Sequence, residues 1–238
     1  MRSLFLAALL AIAAPAQATE SVALELVLLA DATGSIDAAE IRFQREGYAE
    51  AITHPDVLDA ISFTGPIAVT YVEWGDADSQ DTVAGWTVVE DAASAAAFAK
   101  ALLEPPRRAF GRNAIGSALL YGKEAIETNG YEGDRKVIDL SADSANNWYG
   151  PPIHEAREAV LDAGIVINGL AVLCRSCSGR PVSYDLEEAF EERIIGGPNS
   201  FVVTADSAET FADAVRRKLI LEISGLHVST RRHAGLQR

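Results

Sequence analysis

Along the chain, apolar runs of strand length alternate with segments whose apolar residues recur at helical spacing. Residues 22–30 (VALELVLLA) form a near-continuous apolar run that halts at Asp31, the pattern of a strand buried on both faces of a parallel sheet. Asp37 and Glu40 are spaced as a capping box and predict a helix carrying Ile41, Tyr48 and Ile52. Residues 67–74 and 82–89 are β-rich and flank GDADSQ, which predicts an antiparallel hairpin. An alanine-rich helix over 92–103 is stopped by Pro105 and Pro106.

The segment GRNAIGSALLYGKEAIE then places Ile115, Leu119 and Ile126 on one helical stripe. Residues 136–142 (KVIDLSA) read as a strand that again stops at an aspartate, Asp143. Pro151 and Pro152 open a helix to Ala163, with Gly164 at its C′ position. A strand over 165–173, an amphipathic helix over 184–194 and a short strand over 201–203 follow. Asp206-Ser-Ala-Glu209 is spaced to cap a last helix with Phe211, Val215, Leu219 and Ile223 along one face. This order predicts a single α/β domain: a doubly wound, mostly parallel six-stranded sheet with one antiparallel edge strand and helices on both faces.

The two ends fall outside that alternation. Residues 1–18 carry Arg2, an apolar stretch over 4–14 and Ala16-Gln17-Ala18, the three parts of a secretory signal with a small-x-small cleavage site. The apolar stretch is shorter than the ~20 residues that span a bilayer. The expected product is exported, periplasmic or extracellular, with its domain over 19–225. Residues 226–238 lack apolar periodicity and form a basic tail with Arg231, Arg232 and Arg238.

Composition narrows the function classes. The 238 residues are 49% apolar and carry a net charge of −14. That balance argues against nucleic-acid binding, which needs clustered Lys and Arg. In a doubly wound sheet ligands bind beyond the carboxyl ends of the strands, where the strand order reverses. With the order 3-2-1-4-5-6, Asp31 and Asp143 meet at that point. Thr33 and Ser35 face the same crevice, and the loop with Asn113 closes its third side. Carboxylate and hydroxyl oxygens without sulfur or imidazole suit a hard cation such as Mg²⁺, Mn²⁺ or Ca²⁺. The plainer reading of DATGS is a strand-to-helix turn with Ser35 or Asp37 capping the next helix.

The D-x-T-G-S of residues 31–35 resembles the D-x-S/T-x-S signature of the metal-ion-dependent adhesion site of von Willebrand factor A domains. GRNAIGSAL (111–119) and VIDLSADSANN (137–147) resemble that family's second and third loops, and the element order is similar over Val22 to Ser224. IDLSAD, INGLAVL and FADAVRRKLILEI also resemble an uncharacterised family of exported bacterial proteins of this fold. The resemblance implies a protein-binding module rather than an enzyme. Thr33 and Ser35 would ligate one divalent cation, Asp31 and Asp143 would act directly or through water, and a partner's Asp or Glu would take the open position. Two positions depart from the family: Asn113 stands where it has threonine, and Ser144 where it usually has glycine. A degenerate site in a structural domain is therefore one alternative, and a metal-assisted hydrolase at the same crevice is another.

Asn146, Asn147, Trp148 and Tyr149 follow the Asp143 loop and form a candidate partner rim. Cys174 and Cys177 follow the fifth strand; in an exported chain they read as a local disulfide, with a redox pair and a metal site as the other readings. No G-x-S-x-G, G-x-G-x-x-G or Walker lysine motif is present, since Gly122-Lys123 is followed by Glu124.

Overall fold

A computed structural model of the chain describes residues 19–173 and 182–225. The expected signal segment and basic tail, and the residues Cys174 and Cys177, lie outside the described residues. Chain order is β1 (Glu20–Asp31), α1 (Ala38–Thr53), α2 (Pro55–Thr64), β2 (Ile67–Trp74), β3 (Gln80–Val89), α3 (Ala92–Leu103) and α4 (Ile115–Glu127). There follow β4 (Tyr131–Ala142), α5 (Ile153–Asp162), β5 (Val166–Val172), α6 (Leu186–Arg193), β6 (Val202–Ala205) and α7 (Ala208–Ser224).

The six strands form one sheet in the order β3-β2-β1-β4-β5-β6. All neighbours are parallel except β2 and β3, the hairpin at the edge. Alternating side chains of β1 explain both layers. Leu24, Leu26, Leu28 and Ala30 enter a core with α1, α2, α3 and α7, whereas Val27 and Leu29 enter another with α4, α5 and α6. The sheet is covered by helices on both faces.

Local chemistry sets the element ends. Asp37 and Glu40 form the expected capping box of α1. His54 then caps α2, with Pro55 in its first turn, and Val57 and Ile61 bury against the sheet. The predicted helix of 37–52 is thus the first of two. The cap of α7 is Ser207, paired with Thr210, one residue later than the expected cap at Asp206, because the chain stays extended through Ser207. Strands β1 and β4 begin earlier than their apolar runs, with Glu20 opposite Tyr131 and Ser21 opposite Glu132. These ends protrude past the helical layers, so their side chains alternate towards water and lack an apolar signature.

Candidate functional site

The strand order reverses between β1 and β4, and both strands deliver an aspartate to that point. Ala30 pairs with Ser141 in register, so the chain leaves β1 through Asp31 beside the place where it leaves β4 towards Asp143. Asp31 and Asp143 are both buried. Asp31 Oδ1 accepts the Thr33 N–H at 2.8 Å, while its Oδ2 is buried without a hydrogen-bond partner. Thr33 Oγ1 lies 3.2 Å from Ser35 Oγ, which donates to Asp143 Oδ2 within 3.4 Å. Four of the predicted site residues therefore join in one hydrogen-bonded chain, Asp31 through the Thr33 amide and Asp143 through the Ser35 hydroxyl.

Their electrostatics follow from that placement. Burial pushes the Asp31 carboxyl up to about 6, against the lowering effect of its Thr33 hydrogen bonds. Asp143 is pushed up to about 8, first by burial and then by the Asp31 charge. Two carboxylates held together out of water resist joint ionisation. A proton or a cation between them relieves the strain.

Arg107, which the sequence reading passed over, shapes the first loop. Its guanidinium donates to the carbonyls of Ala32 (2.5 Å), Thr33 (3.0 Å) and Ile36 (2.7 Å) and stacks 4.5 Å over the Phe110 ring. It is committed to carbonyls and makes no ion pair with Asp31 or Asp143. The first of two adjacent arginines after two prolines gave no sequence signal of this role. The second loop closes over the first through the Gly34 N–H, which donates to Gly111 O at 2.7 Å. Gly111 has φ +112°, and a Cβ there would lie 2.5 Å from Asp76 Cβ, so the position demands glycine.

Asn113 sits between the second and third loops, with its carbonyl accepting the Trp148 N–H at 2.7 Å. Its Nδ2 is buried without a partner, and its side chain makes no hydrogen bond to the other four site residues. The rim divides in two. Asn147 turns its amide inward, accepting the Gly116 N–H at 3.1 Å and donating to Pro151 O at 3.0 Å, and so supplies the cap that α4 lacks from Ala114. Trp148 and Tyr149 remain 63% and 48% exposed, and Asn146 is half-buried. Ser144, in place of glycine, is buried; its Oγ accepts the Asn146 N–H at 3.1 Å and lies 3.4 Å from the Tyr184 hydroxyl.

Among the described residues no group of three or more His, Cys, Asp or Glu side chains could hold a metal ion. A cation in this crevice would depend on the hydroxyls as much as on the two aspartates. The donor set does fit one: hard oxygens, one orphaned buried carboxylate oxygen, and two carboxyls raised by burial, Asp143 further by the Asp31 charge.

Residues 21–227 match the family described as "Protein of unknown function (DUF1194)". The chain belongs to this family. A comparison of the sequence with curated proteins finds no match. Solved structures place this DUF1194 chain among von Willebrand factor A-like folds. It is similar to a von Willebrand factor type A protein from Catenulispora acidiphila, at 16% identity and a TM-score of 0.60 over 86% of this chain and 43% of that one. Proximal thread matrix protein 1 of the mussel byssus, solved with a zinc-occupied MIDAS motif, matches at 15% identity and 0.63 over 87% of this chain and 49% of that one. The pilus adhesin SpaC of Lactobacillus rhamnosus GG matches at 14% identity and 0.59 over 85% of this chain and 31% of that one. The DUF1194 chain thus spans under half of each of these solved chains. At such identities the likeness is one of fold, and the crevice must be argued from its own residues.

Proposed function

We propose that this protein is an exported binding module that holds one divalent cation in the crevice and uses it to engage a carboxylate of a protein partner. Asp31, Thr33, Ser35 and Asp143 would hold the cation. The single observation carrying this reading is the pair of buried aspartates beside the Thr33 and Ser35 hydroxyls, with one buried oxygen of Asp31 receiving no hydrogen bond. When bound, the cation supplies an open coordination position for the partner's Asp or Glu and cancels the repulsion that an acidic partner meets at an acidic domain.

Each residue has a separate task. Asp31 keeps one oxygen on the Thr33 amide, which fixes the loop, and leaves the other for the cation. Thr33 and Ser35 contribute neutral oxygens, so the bound cation keeps residual positive charge for the partner's acid. Arg107 pins the carbonyls of the loop and prevents it from collapsing on the two carboxyls. Asn113 would present its amide oxygen: turning the amide over exchanges the partnerless buried Nδ2 for an oxygen that needs no donor when a cation is near.

Support for this reading comes from the fold, from a zinc-occupied MIDAS motif in a mussel protein of similar fold, and from the adhesin among the structural neighbours. The hydrolase alternative has no histidine to serve as its base in the three loops over 31–37, 107–114 and 141–152. The test is a melting curve at millimolar Mg²⁺ or Mn²⁺ against EDTA. Wild type is expected to gain stability with metal, and Asp31→Ala to lose that response. No response in wild type overturns the proposal, and saturable metal-dependent turnover of phosphoesters would replace binding by catalysis.

A further inference from the structure

Beside the crevice lies an open cavity of about 440 Å³, walled by the third loop, the first turns of α5 and the end of α6. The third loop contributes Asn146, three residues beyond Asp143, and the helices contribute Ile153, His154, Arg157, Glu192 and Arg193. Three of the four ionisable side chains are basic, on a chain whose net charge is −14.

The two arginines have no acidic partner among the described residues. Arg157 donates through Nε to Ile195 O at 2.7 Å, and this is its one hydrogen bond there. Arg193 lies 5.9 Å over the Tyr184 ring. Tyr184 also ties the cavity to the crevice: its hydroxyl accepts the Ala145 N–H at 2.9 Å, two residues past Asp143. His154 has Glu155 4.0 Å away, outside the cavity lining. A basic recess at a fixed offset from an acidic crevice is a charge pattern that a partner can read.

We propose that this cavity is a second anion subsite, and that the partner segment is acidic, with two carboxylates. One would reach the crevice and the other would be taken by Arg157 and Arg193. The first half rests on the cation reading above; the second half does not. Arginine suits this role because its planar fork meets a carboxylate through two hydrogen bonds. The exposed Trp148 and Tyr149 adjoin both subsites along the chain and would cover the segment between the two acids.

The test uses acetylated, amidated peptides carrying one aspartate, or two aspartates separated by glycine spacers of increasing length. Binding to the protein is measured by calorimetry in Mg²⁺ and in EDTA. For at least one spacer, the two-acid peptide should bind wild type about ten-fold tighter than the one-acid peptide, the gain expected from one charge-assisted contact. Arg193→Glu and, separately, Arg157→Gln should abolish that advantage and leave one-acid binding in Mg²⁺ unchanged. Melting curves confirm that both variants fold, and the exposed Arg193 gives the readout should Arg157→Gln loosen the Ile195 contact. Equal affinities at every spacer, an advantage that survives in Arg193→Glu, or no binding of any peptide overturns the subsite. A two-acid advantage that persists in EDTA and vanishes in Arg193→Glu keeps the subsite and refutes the cation reading instead.

Discussion

Replacing Asp31 by asparagine should stabilise the metal-free protein, an unusual direction for a substitution at a buried residue. The side chain is buried at the end of β1; its Oδ1 accepts from Thr33, and its Oδ2 has no partner. Asparagine keeps the shape and the Thr33 acceptor while removing the charge. Raising Asp31 from its ordinary 3.8 to about 6 corresponds to ~3 kcal/mol of penalty on the ionised form once pH exceeds the higher value. Relaxation around the pair reduces this, so a gain of about 1–3 kcal/mol is expected, or roughly 2–10 °C in melting temperature for a chain of this size.

The direction with pH follows from the raised values. Between 3.8 and about 8 the folded state holds more protons on Asp31 and Asp143 than the unfolded chain does. Stability in EDTA therefore falls as pH rises through that window, and the penalty is complete above it. Thermal unfolding in EDTA across this range is the assay: wild type should lose stability towards alkaline pH, and Asp31→Asn should show a flatter profile and the higher melting temperature. In millimolar Mg²⁺ the order should invert, since only wild type gains from the bound ion. An Asp31→Asn protein that melts at or below wild type in EDTA near pH 8 would refute the claim that the paired charges are the strained feature of this crevice.

Three further outcomes are expected. Asn113→Thr replaces a buried amide nitrogen that has no acceptor by a compact hydroxyl, and should raise Mg²⁺ affinity several-fold by calorimetry; a loss would mean that the amide oxygen already serves the cation better. Lys218→Met leaves the buried Asp139 and Glu222 without the ammonium that lies 2.5 Å from each, and should cost about 3–5 kcal/mol in urea unfolding. The loss should be larger near pH 8 than near pH 5.5, because burial and Asp139 already push Glu222 up to about 7 and protonation removes the penalty below that. Asn147→Ala should cost about 1 kcal/mol through loss of the α4 cap, read as a small drop in melting temperature.

How much of this was legible in the sequence depends on where each residue's burial is decided. The strands 22–30, 67–74 and 136–142 bury both faces, so their composition alone marked them, and the aspartates that end the first and the third marked the crevice. The order β3-β2-β1-β4-β5-β6 is the common doubly wound order that the alternation of strands and helices led us to expect. The site aspartates and hydroxyls of the first and third loops converge in space, which the spacing of DATGS and the end of IDLSAD anticipated. Elements whose identity depends on one capping side chain were less visible: α2 begins on His54 and Pro55 within a single turn of the end of α1. Roles played through backbone groups left no trace at all. Arg107 binding three carbonyls of the first loop, and Tyr184 holding the third, are consequences of tertiary approach rather than of local pattern. Asn147 combines both lessons, since a residue expected on the rim uses its amide on the backbone beneath it.

The most direct test of the central claim is diffraction from crystals grown in millimolar Mn²⁺, with data collected to show the anomalous signal of manganese. The account expects one strong peak in the crevice, within coordinating distance of Thr33 Oγ1 and Ser35 Oγ and beside the Asp31 and Asp143 carboxyls. A clean map with no anomalous density there, from crystals in which the carboxyls are ordered and the pH is above 8, would contradict it.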